Sequence, residues 1–173
     1  MPLIKEKFKE TKRVFGEWNV GAYRWKAPEG YLDDFIKALG EKKILGTLCS
    51  GCGRIYVPPR EFCSRCFRKI ETKTIVSNFG TLLAFLVSPP LTKGKVLIAG
   101  IDAVESGWLK EGEEIILGIV NFDGTSSKLV LPVLNVKPTD VFVGMRVRAV
   151  FSEQPKGSLS DLIGVEPAEQ VKF

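Results

Sequence analysis

The stretch Cys49-Ser50-Gly51-Cys52-Gly53, with ten residues between Cys52 and the second run Cys63-Ser64-Arg65-Cys66, decides the reading of this chain. Two residues between cysteines let one tight turn aim both sulfurs at a single point. Two such knuckles bring four thiolates into a tetrahedron, the arrangement that zinc accepts without strain. Gly51 and Gly53 permit the left-handed backbone and the close approach that a knuckle needs. The interval between the pairs is shorter than the commonest ribbon spacing but ample for a hairpin. Cys49, Cys52, Cys63 and Cys66 are therefore the candidate metal ligands, and they are all the cysteines the chain has. Iron in four thiolates is the chemical alternative to zinc. Disulfides fit a reducing compartment poorly, and a redox pair explains one knuckle and not two. Four thiolates fill the coordination shell, so the site reads as structural, with no open position for a substrate.

On the N-terminal side of the knuckles lies a helical pattern. Tyr31, Leu32, Phe35, Ile36 and Leu39 fall on one face of a 3.6-residue repeat, with Asp33, Asp34 and Lys37 on the other. Pro28 and Glu29 suit its start, and Gly40 suits a left-handed residue just past its end. Asp33 and Asp34 are adjacent, so their side chains diverge and do not form a catalytic pair. Residues 1–27 form a leader that carries Phe15, Trp18, Tyr23 and Trp25, either an arm packed on its own domain or a docking arm for another subunit.

On the C-terminal side the chain becomes a series of short β-rich runs. Thr74–Val76, Thr81–Val87, Lys95–Val104, Ile115–Phe122, Lys128–Val136 and Met145–Phe151 are the expected strands, with a turn at Asp123-Gly124. Pro132 demotes its run to an edge or a bulge. Met145, Val147, Ala149 and Phe151 alternate with Arg146, Arg148 and Val150, as in a strand with one buried face. So many short strands in about 100 residues imply a small closed or partly closed barrel. The expected organisation is an arm and helix over 1–43, a ribbon over 44–73 and a barrel over 74–173.

Composition narrows the chemistry. The chain has 173 residues, 45% hydrophobic and 26% charged, which is globular rather than disordered. No run reaches the roughly 18 apolar residues of a membrane helix, and the first fifteen residues lack the apolar stretch of a secretory signal; a cytoplasmic location is expected. The absence of histidine excludes every His-based relay, His general base and His metal ligand. No spaced set of carboxylate, lysine or tyrosine replaces it, so the chain is not expected to be catalytic alone.

The block FIKALGEKKILGTLCSGCGRIYVPPREFCSRC, residues 35–66, resembles the signature of a family long catalogued as a domain of unknown function. Its members join a rubredoxin-like zinc ribbon to an OB-fold barrel. Val136–Phe151 is similar to the family's last barrel turn and strand, so the resemblance spans most of residues 31–151. Its implications are a mainly β fold with an N-terminal helix, zinc on Cys49, Cys52, Cys63 and Cys66, and a partnership with thiolases or related acyl-CoA enzymes. There such proteins act as a non-catalytic scaffold subunit that helps to hold the acyl-CoA. Residues 93–112 are extra sequence relative to the family, between the first two barrel strands.

The net charge of +5 invites a polyanionic ligand, and position decides which. Residues 1–73 carry 16 Lys and Arg against 9 Asp and Glu, whereas residues 74–173 carry 9 against 11. A single-strand-binding barrel, the alternative function, needs its basic groove and stacking aromatics on the barrel itself. Here the barrel region is slightly acidic, has no Tyr, and has only Trp108 as tryptophan. Arg54, Arg60, Arg65 and Arg68, with Lys69, cluster instead in the metal segment. They are the candidates for binding the phosphates of CoA, because arginine's fork of donors suits phosphate.

Overall fold

The computed structural model describes residues 29–98, 101–107 and 109–168. The aromatic leader and Trp108 lie outside the described residues. Among the described residues the first element is a helix, α1 (Leu32–Gly40). It buries Phe35, Ala38 and Leu39, while the Tyr31 hydroxyl donates to the Ile70 carbonyl at 2.8 Å. Its end differs from expectation. Gly40 is the last helical residue, and the left-handed residue is Lys42, with φ of 59°. The Lys42 and Lys43 N–H groups donate to the Leu39 and Ala38 carbonyls, which satisfies two orphan acceptors of the last turn in the Schellman manner.

The chain then runs into a small antiparallel sheet ordered β2-β1-β3, made by β1 (Ile44–Leu48), β2 (Ile55–Tyr56) and β3 (Thr72–Val76). Thr74–Val76, grouped with the barrel strands from its composition, belongs here. It pairs along the whole of β1, from Ile44 opposite Val76 to Leu48 opposite Thr72. The strand period shows that a segment is extended, not which partner it will find.

The barrel is a five-stranded antiparallel sheet ordered β10-β9-β4-β7-β8. Its strands are β4 (Phe79–Val87), β7 (Ile116–Phe122), β8 (Leu129–Pro132), β9 (Arg146–Phe151) and β10 (Leu162–Pro167). It curls into a half-barrel of the OB type, and a parallel bridge between Val133 and Val165 joins its two edges. β8 is the edge strand that Pro132 foretold. Met145, just before β9, and Val147 on it are buried while Arg146 and Arg148 are exposed, as the alternation requires.

Two elements depart from the sequence expectation. The extra segment does not form one strand over Lys95–Val104. It folds into a two-residue hairpin, β5 (Leu97–Ile98) against β6 (Ile101–Asp102), whose following turn is held by Asp102 accepting from the Gly94, Val104 and Glu105 N–H groups. These bonds hold the Asp102 carboxyl below its ordinary range, that from Glu105 first. β10 has no counterpart in the expected list, because Gly164 and Pro167 interrupt its apolar run. One apolar cluster takes residues from every layer: Phe35 and Leu39 of the helix, Ile44, Leu45 and Val57 of the ribbon, and Leu82, Val120, Phe122, Val147 and Val165 of the barrel.

Candidate metal centre

The ribbon's two knuckles are built alike. In the first, the Cys49 N–H donates to the Arg54 carbonyl and the Gly53 N–H to the Cys49 carbonyl, with Gly53 at φ 71°. In the second, the Cys63 N–H donates to the Arg68 carbonyl and the Phe67 N–H to the Cys63 carbonyl, with Phe67 at φ 56°. Each turn thus places its second cysteine three residues on, with the next residue left-handed to bring the chain back. Gly53 fills that role at no steric cost. Gly51 serves closeness instead: a Cβ there would lie 3.0 Å from Arg68 Cδ and 3.4 Å from Cys66 Sγ.

All four sulfurs lie within 4.8 Å of one another, with Cys49 and Cys66 at 3.4 Å and Cys52 and Cys63 at 3.5 Å. A tetrahedral zinc with Zn–S bonds of about 2.3 Å needs sulfurs about 3.8 Å apart, so this cradle fits the ion. Cys49 and Cys63 are buried, and Tyr56 and Ile70 complete a small cluster of their own around the sulfurs. Neighbouring groups set the proton affinity of each thiol. The Tyr56 hydroxyl, 3.3 Å from Cys63 Sγ, brings Cys63 down to about 5 despite burial, helped by the Cys66 and Arg65 N–H groups. Hydrogen bonding to Cys49, then to Cys63, pushes Cys66 up to about 12. Burial raises Cys49, but the Cys66 thiol and the Gly51 N–H outweigh it and lower it. The Arg54 N–H pulls Cys52 down, yet burial and the Cys63 and Cys49 thiols carry it up. The four thiols thus sit close enough to share hydrogen bonds among themselves. A divalent ion replaces those shared protons, since thiolates are its ligands.

Tyr56 and Thr47 hold the site without touching the ion's position. Thr47, fully buried, accepts from the Arg60 N–H at 2.9 Å and donates to the Arg60 carbonyl at 3.2 Å, which pins the connector between knuckles. Neither residue has a signature in the sequence, where both read as ordinary strand positions. Ser127 of the β7–β8 loop accepts from the Val57 N–H and donates to the Val57 carbonyl, fastening the ribbon to the barrel.

The four candidate arginines are spread over the ribbon. Arg54 and Arg68 occupy matching places after the two knuckles, Arg65 lies inside the second, and Arg60 stands over the Tyr56 ring, 5.3 Å from its centroid. None of them is in an ion pair among the described residues. The barrel's two arginines, by contrast, are both engaged. Arg146 grips Asp123 through two bonds of 2.8 and 2.6 Å, and Arg148 holds Glu166 at 2.7 Å. Asp33 and Asp34 form no pair; Asp34 instead binds Lys73.

Residues 37–71 match the family model of the ChsH2 rubredoxin-like zinc ribbon domain. The chain is 28% identical over 108 residues to a DUF35 domain-containing scaffold protein of Methanocaldococcus jannaschii, a match covering 62% of this chain and 67% of that protein. Its fold is similar to that of a DUF35-family protein of unknown function from Sulfolobus solfataricus, with a TM-score of 0.57 at 20% identity over 81% of this chain and 87% of the other. It is similar also to the structure of an Ltp2-ChsH2(DUF35) aldolase, with a TM-score of 0.54 at 13% identity over 83% and 98% of the two chains. The sequence match centres on the zinc ribbon and the fold likeness extends over the curled β half-barrel, so the chain is similar to the DUF35 zinc-ribbon proteins over most of its length.

Proposed function

We propose that this chain is a non-catalytic scaffold subunit of an acyl-CoA enzyme complex of the thiolase type, in which it helps to hold both the partner subunit and the acyl-CoA. The observation that carries the reading is the closed metal centre. Among the described residues the four cysteines are the one group placed to hold a metal, and their thiolates fill its shell, which leaves structure as the metal's task. The likeness to a scaffold protein supports the role, and so does the aldolase structure that carries DUF35 in its name. The ribbon's Arg54, Arg60, Arg65 and Arg68, which form no ion pair among the described residues, are suited to the phosphates of CoA. Such a complex works in the cytoplasm. Single-strand binding by the barrel finds less support, because Arg146 and Arg148 already have carboxylate partners.

The test is capture of the tagged full-length chain from its native source, with the co-eluting protein identified by mass spectrometry. The complex is expected to contain a thiolase-like or related acyl-CoA enzyme, and calorimetry should show CoA binding to the complex that R54A/R60A/R65A/R68A weakens. Recovery of single-stranded nucleic acid in a salt-sensitive complex, with no enzyme, would overturn the reading.

A further inference from the structure

The two knuckles share one backbone design but not one surface. At the left-handed position the first knuckle has Gly53, and a Cβ there would meet no atom within 4 Å. The second has Phe67, held at φ 56°, with 81% of its surface exposed. A bulky L-residue is strained in this conformation, and glycine is the residue that adopts it freely. Folding does not require the ring. The bond that closes the turn is made by the Phe67 backbone N–H, and the small cluster around the sulfurs consists of Cys49, Cys52, Tyr56, Cys63, Cys66 and Ile70. Phe62, on the other flank of the same knuckle, is 55% exposed. Exposed Arg65 and Arg68 belong to the same knuckle and form no ion pair among the described residues, and Lys69 reaches the exposed Glu71, at 3.7 Å.

We infer that the second knuckle is the ribbon's docking point for a protein partner, with Phe67 as the anchor that fills an apolar pocket whose rim is acidic. The inference rests on the scaffold reading above and assigns that role a surface. Aromatic and arginine side chains dominate the energetics of protein interfaces. Of the four ribbon arginines, Arg65 and Arg68 belong to this knuckle, and their charge beside an exposed ring calls for carboxylates around its pocket, which leaves Arg54 and Arg60 as the cations for CoA. Such an arrangement steers encounter and fixes orientation. A single-stranded nucleic acid is the poorer occupant. It tracks a basic groove with successive stacking rings, whereas Phe67 is too exposed for this chain to supply a groove wall around it.

The experiment uses the full-length zinc-loaded chain and the acyl-CoA enzyme subunit recovered with it, purified separately and titrated by biolayer interferometry at low and high salt. F67G removes the ring while suiting the backbone, so zinc content and thermal midpoint should be retained; affinity should fall about tenfold or more, chiefly through faster dissociation. R65E/R68E should slow association and abolish its salt dependence. Where the wild type binds and both variants bind equally well, the docking point is elsewhere and the scaffold role stands. Where the wild type binds no acyl-CoA enzyme, the scaffold role fails and the inference with it. A loss on F67G confined to a fluorescent oligo(dT) strand, with protein binding intact, would also overturn the inference.

Discussion

The Tyr56 hydroxyl sits between Cys63 Sγ and the Ser64 hydroxyl, at 3.3 and 3.1 Å, and the residue is 3% exposed. Its hydrogen bond brings the Cys63 thiol down to about 5. Groups that hydrogen-bond a ligand atom orient it and tune its basicity, and losing one typically costs about 10–100-fold in metal affinity. Y56F keeps the ring in the small cluster and deletes only the hydroxyl. Zinc retention should drop by about that factor in competition with a chromogenic chelator, while secondary structure is unchanged; unaltered retention would reduce Tyr56 to a packing residue. The contrast with the cysteines explains what is legible at this scale. Cysteine spacing is a chemical constraint that a string of letters displays, so all four sulfurs converge as read. A tyrosine in a two-residue strand looks like any apolar position. Phe67 is hidden for a related reason, since its left-handed backbone is imposed by the knuckle and not by its own preference.

At the scale of elements, periodicity located α1 and most strands, but their ends and partners came from tertiary contacts. Helix α1 stops two residues before its left-handed Lys42, and Gly40 is instead packed near Pro155 and Asp161. That neighbourhood belongs to the 3₁₀ turn Leu159–Asp161, which launches β10. Asp161 is 1% exposed, and its carboxylate accepts from the Lys156, Gly157 and Ser158 N–H groups at 2.8, 2.9 and 3.2 Å. Those bonds, that from Lys156 first, hold its carboxyl below the ordinary value, with the Lys156 charge assisting. The native state therefore prefers the ionised form more than the unfolded chain does. Its contribution to stability is complete above the ordinary aspartate value of about 3.9 and is lost as pH falls through the lower native value. D161N should lower the thermal midpoint at neutral pH and flatten the acid limb of the stability curve. Parallel curves for the two proteins, measured by circular dichroism from neutral to acid pH, would contradict this role.

Across the whole molecule, ribbon and barrel share one apolar core, and the sequence could not display this because the contacts join residues far apart in the chain. Ile44 and Val57 pack in the same cluster as Leu82 and Val147, and Ser127 ties the β7–β8 loop to Val57. The half-barrel is closed where β10 meets the chain leaving β8: Val133 bridges Val165, and the Leu134 N–H donates to the Val165 carbonyl at 2.7 Å. Gly164 makes that seam possible. A Cβ there would lie 2.5 Å from the Pro132 carbonyl oxygen and 3.2 Å from Leu134 Cδ1. The first obstacle is backbone, which cannot rotate aside as a side chain can. G164A should therefore push β10 from β8 and cost about 1–3 kcal/mol, the usual penalty of overpacking. Because the core is common, the loss must reach the metal. In denaturant titrations, the β-sheet signal and zinc release to a chromogenic chelator should shift together to lower concentration. A variant whose sheet unfolds early while its zinc stays bound would show that ribbon and barrel are stabilised independently.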